Sequence, residues 1–279
     1  MNNRFLNCRG KLVSLEKPLI MGVLNVTYDS FYDGGRYADE SAWLRQTEKM
    51  LAEGADIVDV GCVSTRPGSV AIDEELEIQT MSAVIKSLTR SFPGIIISAD
   101  TYRSEVAREA VHSGAAIIND ISGGTMDEKM FETVARLQAP YILMHIQGTP
   151  ATMQLKPKYT DITKETIKFF SERTAKLRLM GVNDIIIDPG FGFGKTISHN
   201  FELLRNLDYF KFIPHPLLVG VSRKSMIWKT LQTSPAEALN GTTVLNTIAL
   251  LKSANILRVH DVKEAKECME LVELFRKIQ

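Results

Sequence analysis

The chain has 279 residues, with 33 Lys+Arg against 33 Asp+Glu, 44% hydrophobic residues and only 3 Cys. That apolar content excludes a disordered chain, and a formal charge of zero argues against a protein that tracks nucleic-acid phosphates, which carries a basic surplus. Cys8, Cys62 and Cys268 share no short spacing, which argues against a disulfide scaffold or a zinc cluster. Residues 1–20 lack an apolar stretch beside a small-residue cleavage site, and no run approaches a membrane span, so the expectation is a soluble, cytoplasmic protein.

In chain order, short apolar runs alternate with amphipathic stretches. The runs are Leu19–Val26, Ile57–Gly61, Ile95–Asp100, Ile117–Asp120, Tyr141–His145, Ile185–Gly190, Leu217–Val221 and Ile256–Asp261. Their near-continuous hydrophobicity suits parallel strands covered on both faces. Between them, Met81, Val84, Ile85, Leu88 and Phe92 recur at helical spacing. Val106, Ala107, Ala110 and Val111 do the same before a capping Gly114. Val262, Ala265, Met269, Val272 and Phe275 form a last stripe, read as core-facing. With no linker or low-complexity tract, the pattern predicts one domain over residues 1–279, a (β/α)8 TIM barrel of the α/β class, with a doubly wound open sheet as the alternative that eight closing units disfavour.

The active site of such a barrel lies at the C-terminal ends of its strands, and here the apolar runs end in polar residues. Asp100, Asn119, Asp188 and Lys224 combine two carboxylates, an amide and an ammonium. Carboxylates only accept hydrogen bonds, so the pair calls for a donor-rich partner such as an aminopyrimidine edge. Arg258 and His260 sit at i and i+2, on one face of a strand, and with Asn25, Thr65 and Arg66 form a cationic or anion-compatible set suited to phosphate oxygens. Asn25 supplies a hard oxygen for a Mg2+ bridged by a diphosphate. The chemistry alone predicts an enzyme acting on a nitrogen heterocycle that bears a phosphate or diphosphate.

Other motifs fail. Gly190–Thr196 reads GFGFGKT, but a Walker A loop would need Gly at position 189, which is Pro. No G-x-G-x-x-G follows the first strand, and the histidines lack zinc-hydrolase spacing. Cys62 reads as a small buried thiol rather than a nucleophile.

The blocks MGVLNVTYDSFYDGG (21–35), STRPGS (64–69), ADTYRSEVAREAV (99–111), INDISGG (118–124), LMHIQGTP (143–150), IIIDPGFGFGKT (185–196), VGVSRKS (219–225) and LRVHDV (257–262) strongly resemble the dihydropteroate synthases, a family of pterin-binding enzymes. The resemblance implies condensation of 6-hydroxymethyl-7,8-dihydropterin diphosphate with p-aminobenzoate, with Mg2+, giving 7,8-dihydropteroate and pyrophosphate. It assigns Asp100, Asn119, Asp188, Lys224 and Met144 to the pterin, and Asn25, Thr65, Arg258 and His260 to the diphosphate, with Asn25 on the metal. Thr65, Arg66, Pro67, Phe193, Ser222 and Lys224 are assigned to p-aminobenzoate, where sulfonamides compete. Asp29 and Phe31 would lie near the reacting centre, beside Asp100 and Lys224, on the first of two lids. A homodimer is implied, with Pro235–Lys252 and Val262–Gln279 as candidate contact segments. Two departures stand out: Tyr28 where the family usually has Pro, and Cys62-Val63 where it has Gly-Glu. The alternatives are a related pterin-dependent methyltransferase and a pterin-binding protein without catalysis.

Overall fold

The structure is a computed structural model that describes residues 5–26, 36–62, 72–153, 155 and 157–278. The chain opens with an antiparallel hairpin, β1 (Phe5–Cys8) and β2 (Lys11–Ser14). Sequence periodicity did not reveal it, because two four-residue strands are too short to show a pattern. The remaining strands of the described residues form one parallel sheet. They are β3 (Leu19–Asn25), β4 (Ile57–Gly61), β5 (Ile97–Asp100), β6 (Ile117–Asp120), β7 (Tyr141–Met144), β8 (Ile185–Asp188), β9 (Leu218–Val219) and β10 (Ile256–Val259). Each falls inside one of the eight apolar runs.

Strand order is β8-β7-β6-β5-β4-β3-β10-β9, and a parallel bridge from Ile187 to Leu217 joins the two ends. The result is the expected TIM barrel. Helices follow the strands: α1 (Arg36–Ala52), α2 (Glu74–Ser91), α3 (Ser104–Ser113), α4 (Met130–Leu137), α5 (Ile162–Leu179), α6 (Ile197–Arg205), α7 (Ser225–Trp228), α8 (Leu239–Leu251) and α9 (Val262–Lys277). Local chemistry starts several of them. Asp73 caps α2 by accepting from Glu75 N at 3.0 Å, and Thr196 with His199 forms a capping box on α6. The lysine-threonine end of GFGFGKT is thus a helix start.

Side chains alternate between two cores. Outward residues such as Val58, Val60, Ile118, Ile185 and Ile187 pack under the helices. Inward residues Met21, Ile57, Ile117, Ile142, Ile186, Leu218 and Ile256 form a separate ring at the lower, N-terminal end of the barrel, packed with Leu6, Cys8 and Leu15. The hairpin is therefore the floor of the barrel. It is tied down by Asn7 N to Asp184 Oδ2 (3.1 Å) and Arg9 Nη1 to Val111 O (2.8 Å). Burying each aliphatic side chain of that ring stabilises the fold by about 1.5–3 kcal/mol.

The last helix departs from expectation. Val262, Ala265, Met269 and Val272 are buried, but Phe275 is 70% exposed. The stripe leaves the barrel surface in the final turns of α9, where Leu271 and Leu274 are exposed as well.

Candidate active site

Two residues above the apolar ring, the inward positions become polar. Ile57 gives way to Asp59, Ile117 to Asn119, Ile186 to Asp188 and Ile256 to Arg258, while Ser98 is followed by Asp100 and Ile142 by Met144. The period of two along a strand guarantees that each pair shares the barrel interior. Asn25, exposed at the end of β3, and Asp100 flank Gly61: a Cβ added there would lie 3.6 Å from both Asn25 Oδ1 and Asp100 Oδ2. The missing side chain leaves the mouth open between them.

The heterocycle set and the phosphate set are not separate in space. Arg258 joins both groups: its Nε donates to Asp59 Oδ2 and its Nη2 to Asp100 Oδ2, each at 2.7 Å. Burial pushes the Asp100 carboxyl up to about 7; the Arg258 charge opposes that shift and Asp59 reinforces it. Asp188 is buried and raised for the same reason, with Lys224 acting against it, and its Oδ1 accepts from Gly190 N at 2.8 Å. Lys224 is pushed down to about 8 by burial, which Asp188 partly offsets. Among the described residues Lys224 makes no salt bridge with Asp100 or Asp188 within 4.0 Å. Instead Lys224 Nζ donates to Phe191 O and lies 4.8 Å from the centre of the Phe193 ring.

The loop after β8 supplies that platform. Gly190 and Gly194 have φ +70° and +61°, and a Cβ at either would sit 2.0 Å from His145 O or 2.5 Å from Gln147 O. Only glycine fits. Lys195 is buried beneath the loop, donating to His145 O (3.1 Å) and Phe193 O (2.9 Å). It is a structural pin, not a phosphate ligand. On the other side, Arg223 (φ +52°) makes a bidentate pair with Asp261 (2.8 and 2.7 Å) and bonds Pro235 O and Ala236 O. This fixes the turn that carries Ser222 and Lys224. Ser222 Oγ lies 3.1 Å from His260 Nδ1 and accepts from His260 N at 3.2 Å.

The structure therefore brings Asn25, Asp100, Asn119, Met144, Asp188, Phe193, Ser222, Lys224, Arg258 and His260 to the loops and strand ends of one barrel face. Asp29, Phe31, Thr65, Arg66 and Pro67, with the departures at Tyr28 and Val63, lie outside the described residues. Asp120 ends β6 but belongs to the outer side: it accepts from Tyr141 OH (2.6 Å), Ser122 N and Gly124 N. Cys62 is buried, its thiol raised by burial, as a packing residue should be. Asp59 was missed: it sits in the middle of an apolar run, not at a strand end where polar residues stand out.

A polar cup of this make, at the C-terminal face of a barrel, defines a site for a small heterocyclic anion. Residues 21–260 match the family described as pterin binding enzyme, and the chain belongs to that family. It is 43% identical to the dihydropteroate synthase of Escherichia coli K12 over 96% of this chain and 95% of that one. With the Haemophilus influenzae dihydropteroate synthase the identity is 38%, over 95% and 97%. Among solved structures, a Yersinia pestis dihydropteroate synthase in complex with a sulfonamide drug superposes with TM-score 0.90 at 39% identity, covering 98% of this chain and 99% of that one. A Xanthomonas albilineans dihydropteroate synthase with 4-aminobenzoic acid gives 0.91 at 33% identity, covering both chains in full.

Proposed function

We infer that the protein is a dihydropteroate synthase: it transfers a dihydropterinylmethyl group from 6-hydroxymethyl-7,8-dihydropterin diphosphate to the amine of p-aminobenzoate, releasing pyrophosphate, in folate synthesis. The observation that carries the reading is the polar cup itself, Asp100, Asn119 and Asp188 with Lys224 above an apolar barrel floor, in a chain that matches synthases from end to end.

Asp100, Asn119 and Asp188 are acceptors for the amino and ring N–H groups of the pterin, and Lys224 donates to its carbonyl or ring nitrogen. Met144 packs on the ring. Asp59 and Asp100 each hold one nitrogen of Arg258, so Nη1 remains for a diphosphate oxygen, alongside His260 and the Asn25 amide. As the C–O bond to the exocyclic methylene breaks, the Arg258 charge offsets the charge growing on the diphosphate. His260, kept neutral by burial and the nearby Arg258 with its pKa lowered to about 4, contributes a hydrogen bond rather than a charge. The electron-rich dihydropterin spreads the positive charge left on the methylene, and the ring-bound carboxylates support it. An SN1-like course follows. The arylamine nitrogen then bonds to the methylene and sheds one proton. It is a neutral, weak nucleophile, so orientation and exclusion of water matter more than a strong base. Phe193, Ser222 and the Lys224 stem receive p-aminobenzoate, together with Thr65, Arg66 and Pro67; Asp29 and Phe31 are assigned beside the reacting carbon.

Mg2+ fits the donor set: Asn25 offers one exposed hard oxygen, and this ion is commonly held by one or two protein oxygens plus substrate phosphates. When bound, it neutralises the leaving diphosphate as a Lewis acid. Among the described residues no cluster of three acidic, His or Cys side chains could hold a metal without the substrate.

A homodimer through α8 and α9 is supported by exposed Val244 and Leu251 on one and Leu271, Leu274 and Phe275 on the other. Three free, buried thiols fit a reducing cytoplasm, and no helix of the described residues is long and apolar enough to cross a membrane.

The test is a product assay with purified protein, Mg2+ and both substrates. Dihydropteroate and stoichiometric pyrophosphate are expected. Tight binding of the pterin diphosphate without pyrophosphate release would instead identify a non-catalytic binder, and methyl transfer to a corrinoid protein would identify a methyltransferase.

A further inference from the structure

We propose that Asp59 is a positioning residue that sets the hydrogen-bonding sense of the pterin pocket, by turning the Asn119 carbonyl toward the ligand and locking the plane of the Arg258 guanidinium. The proposal rests on the functional reading above and deepens it.

Asp59 lies in the middle of β4, one inward step below Gly61, and is fully buried. Its Oδ2 receives two donors from two other strands, Arg258 Nε at 2.7 Å and Asn119 Nδ2 at 3.1 Å. A carboxylate can only accept, so the Asn119 amide must present its nitrogen to Asp59. Its Oδ1 is then the atom directed away from Asp59, available to the ligand. With Asp100 and Asp188 this makes three acceptors facing the ring and one donor, Lys224. Turned over, Asn119 would set its Oδ1 against the Asp59 carboxylate, two acceptors with no proton between them, and aim its Nδ2 at the ligand.

The guanidinium is fixed in the same way. Two carboxylates on neighbouring strands hold Nε and Nη2, which fixes its plane and leaves one nitrogen for the leaving group. Stability alone does not explain the arrangement. Asp59 Oδ1 is buried without a hydrogen-bond partner, and a buried charge is at best neutral beside the aliphatic packing two residues below it.

Asp59→Asn keeps the shape but offers Asn119 and Arg258 an amide that can face either way. In the full-length enzyme with Mg2+, the expected result is a rise of at least about tenfold in KM for the pterin diphosphate, with KM for p-aminobenzoate within about twofold of wild type and the melting temperature held. An unchanged pterin KM would overturn the proposal. So would an equal rise in both KM values with a lowered melting temperature, since that describes a merely structural residue. If Asp59→Asn does not fold, a neutron structure of the wild-type protein decides the point: deuterons on Asn119 Nδ2 aimed at Asp59 are expected, and Nδ2 aimed into the pocket overturns the assignment. Failure of the wild-type protein to make dihydropteroate would count against the functional reading, not against Asp59.

Discussion

The lower and upper ends of the barrel interior are made by the same strands, one inward step apart, yet they follow opposite rules. Below, Ile57, Ile117, Ile142, Ile186 and Ile256 close on the hairpin residues Leu6 and Leu15 in an apolar cluster whose burial adds to stability. Above, Asp59, Asp100, Asn119, Asp188 and Arg258 are held in a largely buried cup, where burial works against the charged forms of Asp100 and Asp188. The lower end is a mainly apolar core, and the upper end is a site that trades stability for placed charge. Alternation lets a four-residue strand serve both.

Substitutions on either side can break the contrast. The largest effect is expected from Lys224→Met, which should lower kcat/KM for dihydropteroate formation by at least about a thousandfold, while thermal melting stays level or rises because a buried ammonium has gone. A variant that unfolds would show that the upper end is structural after all. Ile186→Ala should do the reverse, costing about 2–5 kcal/mol in urea unfolding with turnover per folded molecule within about twofold of wild type. Large loss of turnover without loss of stability would erase the distinction.

Intermediate behaviour belongs to Arg223. It touches neither end but pins the Ser222–Lys224 turn to Asp261, so Arg223→Ala should lower kcat by about 10- to 100-fold with a small change in melting temperature. Steady-state kinetics beside a thermal melt measures both.

The smallest effect expected is on pH. On the proposed reading Asp100 supports the developing pterin cation only when ionised, and it is raised to about 7, so kcat/KM should climb as pH rises through that value. Lys224 gives a charge-assisted hydrogen bond only while protonated and is lowered to about 8, so kcat/KM should fall as pH rises beyond it. A bell with its maximum between these limbs is expected from initial rates over about pH 5–10. A flat profile would mean that the cup is as solvated as the outer surface.

How much of this could be read beforehand follows from the same geometry. Parallel strands buried on both faces leave continuous apolar runs, so all eight were visible, and polar residues at their ends were visible as a set. Asp59 was hidden because it sits inside a run and was counted with it. The Arg258–Asp100 pair joins residues 158 apart in sequence, on strands that are not neighbours; no local pattern encodes such a contact. Arg223 was quoted for its place in a motif, but its bond to Asp261 depends on two loops meeting. Phe275 was misplaced because helical periodicity continues past the point where the barrel surface ends.

The hairpin floor has one more effect. Because Leu6 and Leu15 stop the lower end, the described residues leave the chamber open at its upper face. On the proposed reading a pterin held by the carboxylates would lie deeper than p-aminobenzoate. Depth would then impose an order on the traffic: the ring that goes deepest would enter first, and the partner that bonds to it would arrive over the top.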